Sequence, residues 1–337
     1  MMKTSHIAAS YLLPGFLLLA GCRGTVGDLP EKVDVTFSLL GTDTRTTNTI
    51  GDGNIDRWTL LLYREGKLAD VGTSGSETLI RRPLEAGNYT AFAIVNPPSS
   101  FRPDSFCTLS DLSHTEFDLK DNTTSRLLMA GSRTITVSGK GNSLQAIGVD
   151  RLVAKASIRK ISVNFTDPVL QSRTFRLKAI YLTNCYGKAK LESDGDVSWM
   201  DADASCWYNR MGFHSDSGVD ALLADRGIDA IISASSPYKQ KHHFYCFPNQ
   251  ADQDSRSGDW SIRHTRLVLE AEIDGKTYYY PVTLPQTFRN KTYIIEEAII
   301  RKLGSNDPEK DEPGSIEVLF STSAGDWWQL YTAQENS

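Results

Sequence analysis

Apolar and polar residues alternate along several short segments of this chain, which is the pattern of half-buried β-strands. The clearest early example is Val33–Leu40, where Val33, Val35, Phe37 and Leu39 occupy every second position. Successive side chains of a strand point to opposite faces, so these four residues share one face. Burying them would contribute on the order of 6–10 kcal/mol by area. We therefore predict a strand here whose apolar face is covered by the rest of its domain.

Further segments carry the same signal, and turn residues separate them at short intervals. Predicted strands lie at 55–63, 89–95, 127–131, 134–137, 151–165, 175–183, 243–247, 267–273, 278–284, 293–301, 316–320 and 327–331. Residues 151–165 alternate over unusual length, and their β-branched residues favour one long strand over a helix. Glu65-Gly66 and Asp274-Gly275 predict hairpin turns between neighbouring strands.

One segment, Ser217–Arg226, predicts a helix, because Ser217 and Asp220 fit a capping box and Gly227 fits its end. A dozen strands with few short helices indicate an all-β fold, most simply two β-sandwich domains in tandem. Thr166-Asp167-Pro168 punctuates the chain, so the predicted domains are 46–165 and 166–337.

The N-terminal segment has the features of a secretory signal. Lys3 precedes an apolar run from Ile7 to Ala20 that is too short for a spanning helix. Leu19-Ala20-Gly21-Cys22 resembles a bacterial lipobox, which implies a lipoprotein signal peptide over 1–21 and a lipid on Cys22. The alternative is an ordinary signal peptide followed by a chance cysteine. Two or three acyl chains would anchor the protein stably to a membrane.

The amino-acid composition and charge indicate which kinds of partner the protein can bind. Apolar residues make up 40% and aromatic residues 9% of the chain, which permits a sizeable core. The net charge of −5 has both signs interspersed and no basic patch, which argues against nucleic acid as a partner. No second apolar run reaches spanning length, so lipid on Cys22 is the membrane attachment that the sequence predicts.

Four cysteines besides Cys22 are widely spaced and match no zinc pattern. They are Cys107, Cys185, Cys206 and Cys246. In an oxidising compartment they could form one or two disulfides, with three possible full pairings. Free thiols are the alternative, and the sequence does not decide between them.

The sequence contains no residue pattern that predicts a catalytic or metal-binding site. Asp52–Asp56 has carboxylates at calcium-loop spacing but lacks the glycine and the distal glutamate, so a turn is expected. Neighbouring side chains on a strand point apart, so neither His242-His243 nor Glu296-Glu297 can form a joint site. There is no Gly-x-Ser-x-Gly elbow and no phosphate-binding glycine-rich loop. We predict no enzyme, no cofactor and no metal.

Aromatic residues offer one binding alternative. Trp207-Tyr208, Trp260 and Trp327-Trp328 could line a glycan platform, which would make the protein a surface glycan-binding lipoprotein of β-sandwich type. Core or interface packing is the other interpretation of these residues.

Several motifs, taken in order, resemble the fimbrillin family, the subunits of type V pili of Bacteroidales-type bacteria. The resemblance begins with the lipobox and spans nearly the whole chain. The further motifs are Thr44–Thr47, Asn54–Lys67, Ala86–Asn96, Leu127–Gly131, Arg151–Lys155, Phe244–Asn249, Tyr279–Val282, Phe288–Tyr293 and Leu303–Pro308.

This resemblance implies two transthyretin-like β-sandwich domains and export of a lipoprotein precursor to the outer-membrane surface. It also implies that an arginine-specific protease removes the first strand and that a strand of a neighbouring subunit replaces it. Mapped here, the lipidated propeptide is 22–45, the strand removed is Val33–Leu40, and cleavage follows Arg45. The implied partners are other fimbrial subunits, the processing protease and the outer membrane, with the fimbrium as the location.

The donor strand remains open at the level of sequence. Ile316, Val318 and Phe320 alternate suitably, while Trp328 with Leu330 is a second candidate. Both could instead be ordinary strands of their own sandwich. A shaft or tip subunit would lose its lipid and first strand together, whereas an anchor subunit would keep both. The Arg45 linker favours shaft or tip over anchor.

Overall fold

Strands dominate the computed structural model, which describes residues 32–40, 54–75, 79–138, 143–191, 198, 200–215, 218–251, 254 and 260–323. The first strands are β1 Lys32–Leu40, β2 Trp58–Arg64, β3 Lys67–Ser74, β4 Leu79–Glu85, β5 Gly87–Val95, β6 Glu116–Asp118, β7 Met129–Val137, β8 Ser143–Gly148 and β9 Asp150–Arg151. The later strands are β10 Ala154–Ile158, β11 Ile161–Val163, β12 Phe175–Thr183, β13 Cys185–Tyr186, β14 Lys188–Lys190, β15 Trp207–Tyr208, β16 Ala224–Ile232, β17 His242–Cys246, β18 Arg266–Ile273, β19 Lys276–Thr283, β20 Thr292–Ile300 and β21 Ile316–Ser323.

Helices are short. The α-helices are α1 Leu109–Ser113, α2 Pro168–Gln171 and α3 Asp220–Leu223, and 3-10 segments lie at Pro103–Ser105, Leu119–Asp121 and Ala204–Cys206. None of the helices in the described ranges is long and apolar enough to span a membrane. Because α3 ends at Leu223, the helix predicted over 217–226 is wrong beyond that residue. Ala224 begins β16 instead, because pairing with β12 satisfies its backbone in a strand.

The first sandwich consists of a three-stranded sheet, ordered β4-β1-β8, and a five-stranded sheet, ordered β3-β2-β5-β7-β9. Apolar side chains of both sheets meet in one buried cluster. Its members are Val35, Phe37, Leu39, Trp58, Leu60, Leu62, Ile80, Leu84, Tyr89, Ala91, Ala93, Val95, Met129, Ile135, Val137, Ile147 and Val149. The all-β sandwich architecture that the alternation predicts is confirmed for this half of the chain.

The five-stranded sheet is covered on both faces, which explains why β2 is apolar without alternation. Leu60 and Leu62 face the first core, while Leu61 and Tyr63 face a second cluster that extends into the other half of the chain. A sheet buried on both faces needs apolar residues at consecutive positions. The two halves therefore pack against each other rather than hanging from a linker.

The second sandwich pairs a sheet ordered β16-β12-β18-β19 with one ordered β11-β20-β10-β17. Strand β20 is parallel to β10 and β11 along one edge and antiparallel to β21 along the other. Phe175 of β12, Tyr280 of β19 and Ile295 of β20 lie in the shared core, with the first two rings 5.8 Å apart. Both sandwiches of the tandem prediction are thus present.

The long strand predicted over 151–165 is interrupted twice. Its start, β9, pairs with β7 in the first sandwich, whereas β10 and β11 pair with β20 in the second. The chain crosses between sandwiches at Leu152-Val153, which is earlier than the predicted boundary at 165/166. The second interruption falls at Arg159-Lys160, whose side chains form ion pairs with Glu296 and Glu297 of β20.

Both predicted hairpin turns are confirmed. Arg64 pairs with Lys67 around Glu65 and Gly66, which have φ angles of 52° and 76°. Asp274 and Gly275 join β18 to β19 in the same way, with φ of 54° and 77°. Two consecutive positive φ angles are what a type I′ turn requires. The strands predicted separately at 127–131 and 134–137 prove to be one strand, β7.

A small ladder joins the two halves of the chain. Strand β6 pairs with β14, and Asp118 at the end of β6 accepts several hydrogen bonds. Its carboxylate accepts hydrogen bonds from the Tyr208 hydroxyl at 2.8 Å, from Lys188 Nζ at 3.1 Å and from the Lys120 backbone N–H at 3.1 Å. Burial acts to raise the pKa of Asp118, but these donors outweigh it and hold the pKa below the ordinary 3.8.

The four cysteines left open by the sequence are free thiols here. Cys107 is exposed, Cys206 is half-buried, and Cys185 and Cys246 are buried. Burial and the adjoining Cys246 thiol raise the pKa of Cys185. A buried thiol with a raised pKa is little reactive at neutral pH.

Replacing Phe37 tests how much β1 contributes to the first core. Because Phe37 is fully buried, Phe37→Ala should lower the free energy of unfolding by about 3–5 kcal/mol in a denaturant titration. The control is Leu79→Ala on the adjoining strand, whose exposed side chain should change stability by less than about 0.5 kcal/mol. Equal effects of the two substitutions would contradict the packing described.

Acid titration tests the contact made by Asp118. A carboxylate whose folded pKa is depressed stabilises the fold fully above its unfolded pKa, and this contribution is lost as pH falls through the folded value. Asp118→Asn should therefore be less stable than the wild type at pH 7, and the difference should shrink below about pH 4. Unfolding measured from pH 7 to pH 2 checks this. Exposed Asp104→Asn is the control, and a pH-independent difference for Asp118→Asn would refute the assignment.

Candidate strand-exchange groove

Strand β1 occupies the middle of its sheet. It runs antiparallel to β4, with Lys32 opposite Glu85 and Ser38 opposite Leu79. Along its other edge it runs parallel to β8, with Val35 beside Ser143 and Leu40 beside Gly148. Both edges of β1 are therefore hydrogen-bonded, although the strand lies near the start of the chain.

The inner face of β1 forms part of the first core. Val35 and Phe37 are fully buried, Leu39 is buried and Val33 is half-buried. Asp34 between them is exposed. The alternation in the sequence thus predicted both the strand and the face that it buries.

Removing β1 would leave a groove with apolar walls. Among the described strands, β4 and β8 have no hydrogen-bonded partner in their sheet other than β1. Ile80, Leu84 and Ile147 would lose the side chains that cover them. Unpaired backbone groups and exposed apolar surface on two strand edges are costly, and an incoming strand of the same pattern would remove that cost.

Two predicted site residues lie outside the described residues. Cys22 precedes β1, and Arg45 lies between β1 and β2. Lipid attachment and cleavage at these positions stay predictions, as do the segment boundaries at 1–21 and 22–45. The structure does describe β1, the strand that such a cleavage would separate from the rest of the described chain.

The candidate donor, β21, lies at the edge of the second sandwich. It pairs with β20, and no other described strand pairs with it. Ile316 and Val318 are half-buried against the core, but Phe320 is 43% exposed and Leu319 is 55% exposed. In this state β21 is an ordinary strand of its own sandwich, and its apolar side chains are only partly covered. The second candidate, Trp328 with Leu330, lies outside the described residues.

The loop before β21 is fixed by a buried ion-pair network that sequence inspection missed. The Glu309 carboxylate accepts hydrogen bonds from Asn184 Nδ2 at 3.0 Å and from Arg266 at 3.2 Å, and Arg263 lies 3.6 Å away. Arg266 also pairs with Asp254. A buried carboxylate that lost these partners would destabilise the fold strongly, so the network holds this loop in place at Glu309.

The described aromatic residues of the suggested glycan platform do not form an open surface. Trp207 is only 6% exposed, and its indole N–H donates to the Asp201 carbonyl at 2.8 Å. Its ring packs on Tyr186 and Trp260, and Trp260 is half-buried between Arg210 and Arg263. Trp327 and Trp328 lie outside the described residues. The packing interpretation therefore describes Trp207, and no described feature favours the glycan-binding alternative.

The paired histidines point apart as predicted. His242 is buried and lies 2.7 Å from Asp225 and 2.8 Å from the Tyr238 hydroxyl, while exposed His243 contacts Ser157 at 2.8 Å. Among the described residues, no group of three or more His, Cys, Asp or Glu side chains is placed to hold a metal. The contact between His242 and Asp225 could not be read from the sequence, because α3 and β16 bring Asp225 to β17 only in the fold.

Neither a comparison with protein-family models nor one with curated proteins found a match. Solved structures do match. A candidate cell adhesion protein of Bacteroides eggerthii superposes with a TM-score of 0.64 at 18% identity, covering 88% of this chain and 97% of that one. A candidate cell adhesion protein of Parabacteroides distasonis superposes with a TM-score of 0.64 at 13% identity, covering 89% and 100%.

A third matching structure is that of a fimbrilin. A fimbrilin of Porphyromonas gingivalis W83 superposes with a TM-score of 0.61 at 16% identity, covering 87% of this chain and 97% of that one. Coverage of nearly both whole chains means that both sandwiches and their order are shared. This chain therefore shares the fold of a solved fimbrilin and of two candidate cell adhesion proteins.

Proposed function

We propose that this chain is a structural subunit of a cell-surface fimbria, exported as a lipoprotein and assembled by protease-triggered strand exchange. The observation that carries the proposal is the position of β1, which fills the middle of a sheet yet precedes a linker containing Arg45. Its fold, shared with a fimbrilin of known structure, supports this function.

A single cleavage in the linker would change two properties of the subunit. Cleavage after Arg45 would separate Cys22 and β1 from the remaining chain, so lipid anchor and central strand could leave together. The groove between β4 and β8 would then open, with its apolar walls facing water. Pairing with a strand from another subunit is the step that covers it again.

The proposed partners follow from this sequence of events. They are other fimbrial subunits, an arginine-specific processing protease, and the outer membrane through lipid on Cys22 before cleavage. We assign the subunit to the shaft or the tip rather than the anchor, because an anchor would keep its lipid and its first strand. The mature protein would lie in the fimbrium at the cell surface.

Limited trypsin digestion of the full precursor tests the proposal. We expect a cut after Arg45, loss of the N-terminal fragment, and SDS-resistant ladders or filaments, because the opened groove needs a strand. Arg45→Gln should give about tenfold less polymer at equal digestion time. Gel electrophoresis and electron microscopy provide the readout.

The control is Arg126→Gln, which removes an exposed arginine far from the linker in sequence and should polymerise normally. A protein that is cut after Arg45, releases β1 and stays a monomer would overturn the proposed assembly mechanism. Mass spectrometry of the new N-terminus, expected at Thr46, identifies the cut.

A further inference from the structure

We infer that Cys185 and Cys246 form a disulfide bond in the exported protein, between the two sheets of the second sandwich. The inference rests on the export part of the proposed function and does not depend on strand exchange. The sequence leaves three full pairings of four cysteines open, and the positions of these residues in the fold distinguish them. The structure holds both residues as thiols, so it describes the reduced form of the pair.

The two thiols lie side by side in one buried core. Both residues are 0% exposed and belong to the same apolar cluster. They are in hydrogen-bonding contact with each other, and the Cys185 thiol also donates to the Thr183 carbonyl at 3.7 Å. A disulfide has a sulfur–sulfur bond of about 2.05 Å, so a small approach of two sulfur atoms already in contact would complete it.

The other two cysteines lie in different parts of the fold. Cys107 is exposed, and its carbonyl accepts a hydrogen bond from the Leu68 N–H in the first half of the chain. Cys206 is half-buried and packs against a small cluster that is separate from the core holding Cys185. The Gly187 N–H donates to the Cys206 carbonyl at 2.7 Å, which places Cys206 beside Gly187 rather than beside Cys185. Burial and contact therefore single out the pairing of the two buried cysteines.

The bond would connect two sheets that no backbone ladder joins among the described strands. Cys185 begins β13 directly after Asn184, which follows the end of β12 in the sheet ordered β16-β12-β18-β19. Cys246 ends β17, opposite Ala154 of β10, in the sheet ordered β11-β20-β10-β17. The closed loop would span 246 − 185 = 61 residues, and a loop of this length restricts the unfolded chain substantially.

Oxidation of the pair requires an electron acceptor, which we assign to a protein disulfide of an oxidoreductase in the oxidising compartment. The thiolate of one cysteine attacks that disulfide and releases one of its sulfurs as a thiol. The thiolate of the second cysteine then attacks the mixed disulfide and releases the other sulfur. Two S–H bonds are thus replaced by one S–S bond, and the acceptor takes up two electrons and two protons.

Burial determines when this exchange takes place. In the folded chain, burial and the adjoining Cys246 thiol raise the pKa of Cys185, so the reactive thiolate is scarce. An acceptor protein cannot reach either sulfur while both residues are 0% exposed. The bond therefore forms while the newly exported chain is folding, and the same burial protects it from reductants afterwards.

Peptide mapping of the exported precursor tests the pairing. The protein is denatured with iodoacetamide and without reductant, and is then digested with trypsin. We expect peptides 179–188 and 242–256 to be linked, with a mass two hydrogens below the sum of the free peptides, and Cys107 and Cys206 to be alkylated. Alkylation of Cys185 and Cys246, or a bond from either to another cysteine, would overturn the inference.

Urea unfolding with and without dithiothreitol gives an independent readout. Because of the loop length, the wild-type midpoint should fall by about 1–2 M urea when the bond is reduced. A variant with Cys185→Ala and Cys246→Ala should not respond to the reductant. The matched variant with Cys107→Ser and Cys206→Ser should respond like the wild type. A wild-type midpoint that the reductant leaves unchanged would contradict the disulfide, whatever the stability of the variants.

Trypsin-triggered polymerisation, scored on the same protein, separates this inference from the proposed function. Polymers whose Cys185 and Cys246 are free thiols would overturn the disulfide and leave strand exchange intact. A linked pair in a protein that is cut after Arg45 and stays a monomer would support the disulfide and overturn strand exchange. A chain that is not exported would overturn the export on which both rest.

Discussion

The first sandwich depends on one strand being held along both edges. β1 supplies the only described hydrogen-bonding partner in their sheet for β4 and for β8, and it supplies Phe37 to the core between the two sheets. Losing it affects backbone pairing and apolar burial at the same time, and these two costs add. It is the first strand that the structure describes, and Arg45 follows it in the sequence.

Much of the described structure has support that does not come from β1. The five-stranded sheet is packed on both faces, so it is supported by the second sandwich as well as by β1. Asp118 and its donors join the two halves, and the Glu309 network fixes the loop that precedes β21. Both sets of buried polar contacts lie outside β1, so they do not depend on that strand.

A strand could be predicted from the sequence where its own residues alternate, and not where it is stabilised by distant partners. β1 was predictable because its alternation records burial on one face. β4 and β8 were not, since β4 carries Arg81 and Pro83 and gains its stability from pairing with β1. The helix expected near Asp220 shortened because a ladder with β12 competed for the same backbone. The break at Arg159-Lys160 falls between two strands that both pair with β20, a partner distant in sequence, so no local pattern reveals it.

The groove itself was only implied by the sequence, since it is defined by two flanking strands far apart in the chain. Residue types could indicate which strand is apolar on one side, but the sheet order that makes β1 central is a property of long-range pairing. The ion-pair network of Arg266 and Glu309 was invisible for the same reason.

The mixed pairing of β1 gives any replacement a direction. Because one neighbour is antiparallel and the other parallel, a strand that reproduces these ladders can enter in one orientation only. Under the proposed strand exchange, a subunit with one such groove and one such strand would have two different ends, so contact between copies would be head-to-tail and need not close on itself. A fibre built from such contacts would be polar, with an empty groove at one end and an unused strand at the other.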